Sequence, residues 1–222
     1  YKRQPYMNAT ICLDSTGSEI EKEQQYEYNI YKMDYDEVKK FDCGSKFHPK
    51  YPDQEKLKTY KPLLSDLFKL AESKNTKIKY NIELKSHPDY DDTYTPKPEE
   101  FVRLVFNVIE EHGVFNRVKI QSFDIRILEE IKKQQPNMKV ALLVDEDEDI
   151  WNKITTLSFL PEIISPYYKM LDEKSVNNLK AAGFQVITWT VNTKTDMKLM
   201  AEFKVNAIIT DYPDILLNVL SK

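Results

Sequence analysis

Glu83 and Lys85 stand two residues apart in Tyr80-Asn81-Ile82-Glu83-Leu84-Lys85, and their types and spacing are the first in the sequence that could do chemistry. Side chains alternate faces along a β-strand, so Glu83 and Lys85 would leave one side and Ile82 and Leu84 the other. A carboxylate holds a hard divalent cation through oxygen, and an ammonium beside it holds a phosphate oxygen. The pair therefore suits metal-assisted phosphoryl transfer. It suits equally an ion pair that only fills the interior of a sheet. His87 follows as an acid–base candidate, although a loop histidine is more often solvated; His48 and His112 are weaker candidates still.

Further along, Asp145-Glu146-Asp147-Glu148-Asp149 invites a calcium-site reading. It lacks the alternating ligands and turn glycine of an EF-hand loop, so a solvated acidic loop favouring the next helix N-terminus is the better expectation. Trp189, in Thr188-Trp189-Thr190-Val191-Asn192, could line an organic pocket or simply pack between sheet and helix. Asp211, before Tyr212-Pro213, could cap a helix or act as a catalyst.

These residues need a scaffold, and from Ile78 onward the sequence supplies one. Apolar runs at Ile78–Leu84, Val118–Phe123, Val140–Val144, Glu162–Ser165, Gln185–Val191 and Ala207–Thr210 read as six strands. Amphipathic stretches at Lys97–His112, Asp124–Gln135, Glu148–Phe159, Asp172–Ala182, Lys194–Phe203 and Pro213–Leu220 read as their helices. Pro98 with Glu99 and Glu100 marks a helix start, and Gly183 a helix stop. Six βα units of about 25 to 30 residues fit a TIM-type (β/α)8 barrel, with a doubly wound open sheet as the rival. In either fold the working residues sit at the carboxyl ends of the strands. Lys61–Glu72 has the apolar stripe of a further helix, whereas residues 1–60, rich in Tyr, Lys, Glu and Gln, have weak periodicity. The expectation is one structural domain, with 1–60 as a small subdomain and 61–222 as the barrel body.

The 222 residues carry a formal net charge of −4, and their lysines are scattered, which argues against a nucleic-acid partner. No run of 18 apolar residues could span a membrane. Cys12 and Cys43 are compatible with a disulfide or with two free thiols. With a chain that does not begin in Met, the cysteines lean toward an extracytoplasmic setting.

An ordered set of segments then resembles the glycerophosphodiester phosphodiesterase family: Phe41-Asp42-Cys43-Gly44-Ser45, Pro62-Leu63-Leu64, Asn81-Ile82-Glu83-Leu84-Lys85, Gln121-Ser122-Phe123-Asp124, Trp189-Thr190-Val191-Asn192 and Ile208-Ile209-Thr210-Asp211-Tyr212-Pro213-Asp214. The resemblance implies a barrel with a small insertion after its second strand, here Tyr6 to Tyr60, and it makes the six strands numbers three to eight. It also implies hydrolysis of a small-molecule glycerophosphodiester to glycerol 3-phosphate and an alcohol, with calcium or magnesium. On this resemblance Glu83 is a metal ligand, Lys85 contacts the phosphate and Trp189 walls the glycerol. Gln121 and Tyr167 are pocket residues by position at their strand ends.

The sequence departs from the family where the first strand would end in His-Arg-Gly, where the second would carry Glu-x-Asp, and where Arg3 stands in place of a second histidine before Pro5. The general acid–base histidines and two of three metal carboxylates are thus absent from these 222 residues. The expectation is a fragment that is inactive as written, or alternatively a non-catalytic phosphate- and glycerol-binding barrel.

Overall fold

The computed structural model describes residues 5–221, which fall into two compact units. One comprises the chain up to Ile78 together with Ser86–Val114. The other comprises Lys79–Lys85 and the chain from Phe115 onward.

In its stretch up to Ile78 the first unit has few regular elements: the single turn α1 (Tyr35–Val38) and the helix α2 (Leu64–Lys74). Met7, Cys12, Ile20, Val38 and Phe41 form its buried core, with Tyr28, Ile30 and Met33 packed around them. Cys12 and Cys43 are joined in a disulfide, which settles the question their sequence left open. Asp42 beside it organises the loop: its Oδ1 accepts from the main-chain N–H groups of Gly44 at 3.0 Å, Ser45 at 3.1 Å and Thr59 at 3.3 Å. Burial opposes its charge, but the Ser45 hydroxyl and these amides outweigh that and hold the carboxyl at about 2.

The second unit opens with β1 (Tyr80–Glu83), from which the chain crosses the first unit through α3 (Pro98–Glu111). Pro98 occupies the start of α3 with Glu99 and Glu100 in its first turn, and Val102, Phe106 and Ile109 form its buried stripe. There follow β2 (Val118–Ser122), α4 (Ile125–Gln134), β3 (Lys139–Val144), α5 (Ile150–Thr155), β4 (Ile163–Pro166), α6 (Glu173–Ala181), β5 (Gln185–Thr188), α7 (Lys194–Glu202), β6 (Ala207–Ile208) and α8 (Pro213–Leu220). Gly183 closes α6 with φ of 93°, a left-handed value that a side chain would strain.

The six strands are all parallel and lie in chain order, β1-β2-β3-β4-β5-β6. A doubly wound sheet reverses its strand order at a switch point, and no reversal occurs here. The order is that of a barrel wall, and the rival fold is excluded. Residues paired in register share a face of the sheet. One face carries Ala141, Ile163 and Ile187 as a buried cluster extended by Ala207 and Ile209. The opposite face buries Leu142, Ile164 and Val186 completely. The stripe Ile127, Leu128 and Ile131 of α4, which packs on β2 and β3, is equally buried. Truncating one such side chain to alanine costs about 2–5 kcal/mol.

Candidate active site

At the carboxyl end of β1 the strand stops at Glu83, and Lys85 lies just beyond it. The Lys85 ammonium approaches the Glu83 carboxylate to 3.6 Å, with both side chains partly open to solvent. That is a loose ion pair at the sheet rim, where pairs contribute about 0–1 kcal/mol. Glu83 Oε1 is buried while the Lys85 ammonium is the more open of the two, so Lys85 is the group left able to meet a solute.

Gln121 is opposite Glu83 in the β1–β2 register. Its side chain is buried, and its Oε1 accepts from Asn81 Nδ2 at 2.8 Å. The next residue, Ser122, donates its hydroxyl to Leu84 O at 2.7 Å, and Leu84 N donates to Gln121 O at 3.0 Å. These bonds lock the rim on which Glu83 and Lys85 stand. Sequence reading missed Asn81 as a site residue, although its two-residue spacing from Glu83 was the available signal.

A second grouping forms at the ends of β4 and β5. Trp189 is buried, and its Nε1 donates to Ser165 O at 2.7 Å. Its ring meets Tyr167 at a centroid distance of 5.4 Å and Phe123 at 5.5 Å, edge-on to the latter. Tyr167 and Trp189 also pair through a parallel bridge. The structure thus brings Trp189 and Tyr167 together in one aromatic wall, and Phe123, which the motif contained but sequence reading passed over, completes it. The orientation of the Trp189 ring is set by this packing and by one hydrogen bond.

Other candidates have local structural work. His87 caps a short turn, its Nδ1 accepting from Asp89 N at 3.3 Å. His48 accepts from Lys50 N at 3.1 Å, and His112 packs on Phe68 at 5.5 Å. Asp149 caps α5 by accepting from Asn152 N at 2.8 Å, while Glu148 pairs with Lys153 at 2.5 Å. The acidic run is therefore helix-starting chemistry. At the start of α8 Tyr212 occupies the cap position, and Asp211 before it accepts from Asn192 Nδ2 at 2.7 Å. Arg3 lies outside the described residues.

Glu83 offers one oxygen-donor carboxylate at this rim. Among the described residues no group of three or more His, Cys, Asp or Glu side chains converges as a metal site. A hard divalent cation takes about six to eight ligands, so these residues do not build a metal centre by themselves.

Residues 12–215 match the model of the glycerophosphoryl diester phosphodiesterase family. A glycerophosphodiester phosphodiesterase of Caldanaerobacter subterraneus subsp. tengcongensis is 30% identical over 188 residues, covering 84% of this chain and 71% of the relative. One from Bacillus subtilis is 27% identical over 187 residues, covering 81% of this chain and 61% of the relative, so the chain spans less than two thirds of that protein. A crystal structure from Silicibacter pomeroyi DSS-3, a candidate glycerophosphoryl diester phosphodiesterase, matches with a TM-score of 0.84 at 22% identity, over 99% of this chain and 77% of that one. That last likeness concerns the fold. With nearly the whole chain inside the family model, and with the fold and sequence relatives in agreement, the chain belongs to the glycerophosphoryl diester phosphodiesterase family of phosphoric diester hydrolases.

Proposed function

We propose that the chain serves the hydrolysis of glycerophosphodiesters to glycerol 3-phosphate and an alcohol, contributing the phosphate- and glycerol-facing part of the site. The observation that carries this reading is the loose, partly exposed Glu83–Lys85 pair at a carboxyl-end rim, in a member of a phosphodiesterase family. Lys85 would hold a phosphate oxygen as a point charge, and Trp189 with Tyr167 would wall the glycerol carbons. Gln121 would fix the rim beneath them. Its six strands would be strands three to eight of an eight-stranded barrel. Calcium or magnesium is the expected cation, with Glu83 as one ligand. The Cys12–Cys43 disulfide supports an oxidising, extracytoplasmic setting.

These 222 residues contain no His-Arg-Gly and supply no convergent carboxylate set among the described residues. That observation favours a second reading, in which this polypeptide alone binds phosphate and glycerol without turning them over.

The test is release of glycerol 3-phosphate from glycerophosphocholine, with and without chelator. It is run on the complete encoded product and on the 222-residue chain, beside calorimetric binding of glycerol 3-phosphate. The first reading expects chelator-sensitive hydrolysis by the complete product and binding alone by the 222 residues. Binding without hydrolysis in both would favour the second. Neither hydrolysis nor Lys85-dependent binding would overturn both.

A further inference from the structure

The amino end of the sheet carries charge that the rim at its other end does not use. Lys79, Arg117, Lys119 and Lys139 line a recess of about 250 Å3 there, with Ile163 and Gln185 in its wall. The register sets Lys119 beside Lys139 on adjacent strands, and Asn81 beside Lys119. Lys79, the residue just before β1, lines the same recess. Two ammonium groups thus stand side by side on β2 and β3 with a third beside them, where like charges side by side are destabilising.

The stem of Lys119 is half-buried, and burial, followed by the charges of Lys79 and Lys139, holds its ammonium below the usual lysine range. Among the described residues none of the three lysines pairs with a carboxylate. The nearest acid in sequence to the recess wall, Glu162, is committed elsewhere, to Lys132 at 2.6 Å and to Val140 N at 3.0 Å. Arg117 lies over the Tyr80 ring at 5.8 Å.

We propose that this recess binds a small multivalent oxyanion of the phosphate class, held by Lys119 and Lys139 on its floor and by Lys79 at its rim. Its volume is below the roughly 300–1,000 Å3 of pockets for drug-sized ligands, which suits a compact anion. Lysines bind phosphate as converging point charges, and each multivalent anion would neutralise more than one of them. The site is separate from the one proposed above: Lys79 and Glu83 are four residues apart along one strand direction, about 13 Å at 3.3 Å per residue. It goes beyond that reading and does not depend on it.

The experiment titrates the folded chain with inorganic phosphate at constant ionic strength, balanced with sodium chloride, and follows thermal unfolding and binding heat. Wild type and Lys85→Met are expected to gain stability with phosphate, while Lys119→Met/Lys139→Met binds it about tenfold more weakly. Should the double variant fail to fold, the exposed Lys139→Gln alone is expected to weaken binding severalfold. A phosphate response that survives both lysine changes, that chloride reproduces, or that Lys85→Met alone abolishes would overturn the proposal. The Lys85→Met arm also separates its failure from failure of the hydrolase reading.

Discussion

Asn81 donates from Nδ2 to Gln121 Oε1 at 2.8 Å across β1 and β2, one alternation below the Glu83 rim. Gln121 is buried, and this bond is what fixes its amide beside Glu83. Gln121→Leu should lose it at a cost of about 1 kcal/mol in urea unfolding. Binding of glycerol 3-phosphate should weaken with it, because the rim that presents Glu83 loosens. Unchanged affinity in a destabilised variant would confine Gln121 to the fold.

Lys85 should behave in the opposite way. Its ion pair with Glu83 spans 3.6 Å and is partly exposed, so Lys85→Met should change stability by less than about 1 kcal/mol. A charge-assisted contact to phosphate is worth about 1.5–3 kcal/mol, so affinity for glycerol 3-phosphate should fall by roughly tenfold or more. Calorimetry on the variant separates the two quantities.

Trp189 allows the wall to be dissected. Trp189→Phe keeps an aromatic ring against Tyr167 and Phe123 but loses the bond to Ser165 O, at about 1 kcal/mol. Trp189→Ala empties a buried site and should cost about 3–5 kcal/mol. If the ring also walls the ligand, the phenylalanine variant retains most of its glycerol 3-phosphate affinity and the alanine variant does not.

The βα alternation was legible because each strand and helix carries its own period, and the structure keeps every one of those elements. Their ends were less so. The apolar pattern runs α5 on to Phe159, yet the helix stops at Thr155. There Thr155 and Thr156 turn their hydroxyls onto Asn152 O and Lys153 O, and Glu129 captures Ser158 N at 2.6 Å. At the candidate site, Glu83 and Lys85 could be read from spacing alone. The Trp189, Tyr167 and Phe123 wall could not, since it joins residues 22 or more positions apart through strand order. The first unit was the least legible: Asp42 depends on Thr59, and Cys12 on Cys43. Neither pairing leaves a local period.

The Cys12–Cys43 bridge closes a separation of 31 residues. Chain-entropy reasoning gives such a loop about 3–4 kcal/mol. Cys12→Ser/Cys43→Ser should therefore unfold the first unit at markedly lower urea concentration, and reductant should do the same to wild type but nothing to the variant. Equal midpoints with and without reductant would show that the bridge contributes nothing.

Gly44 should tolerate no side chain. A Cβ there would fall well inside van der Waals contact of Leu57 O and Thr59 Cγ2, and the first of these is backbone that cannot swing away. Gly44→Ala should therefore cost about 1–3 kcal/mol, the range for overpacking a tight site. Because Gly44 N also donates to Asp42, the variant should also lose part of the acid sensitivity that Asp42 confers.

That sensitivity has a definite sign. The Asp42 carboxyl sits at about 2 in the folded chain against an ordinary 3.8. A group more acidic when folded stabilises the protein above its unfolded value, and the contribution drains away as pH falls through the folded one. For Asp42 this is about 2 kcal/mol, present above roughly pH 4 and lost toward pH 2. Asp36 and Asp172 are also held below the usual carboxylate range, but at exposed positions where solvent screens the effect. Asp42→Asn keeps an oxygen to accept from Gly44, Ser45 and Thr59 but removes the charge. It should be about 2 kcal/mol less stable than wild type at neutral pH and converge with it as the acid limit is approached. Urea midpoints of both proteins at about pH 7, 4 and 2.5 read the difference directly, and a gap that stays constant with pH would place the strain of that loop elsewhere than on the Asp42 charge.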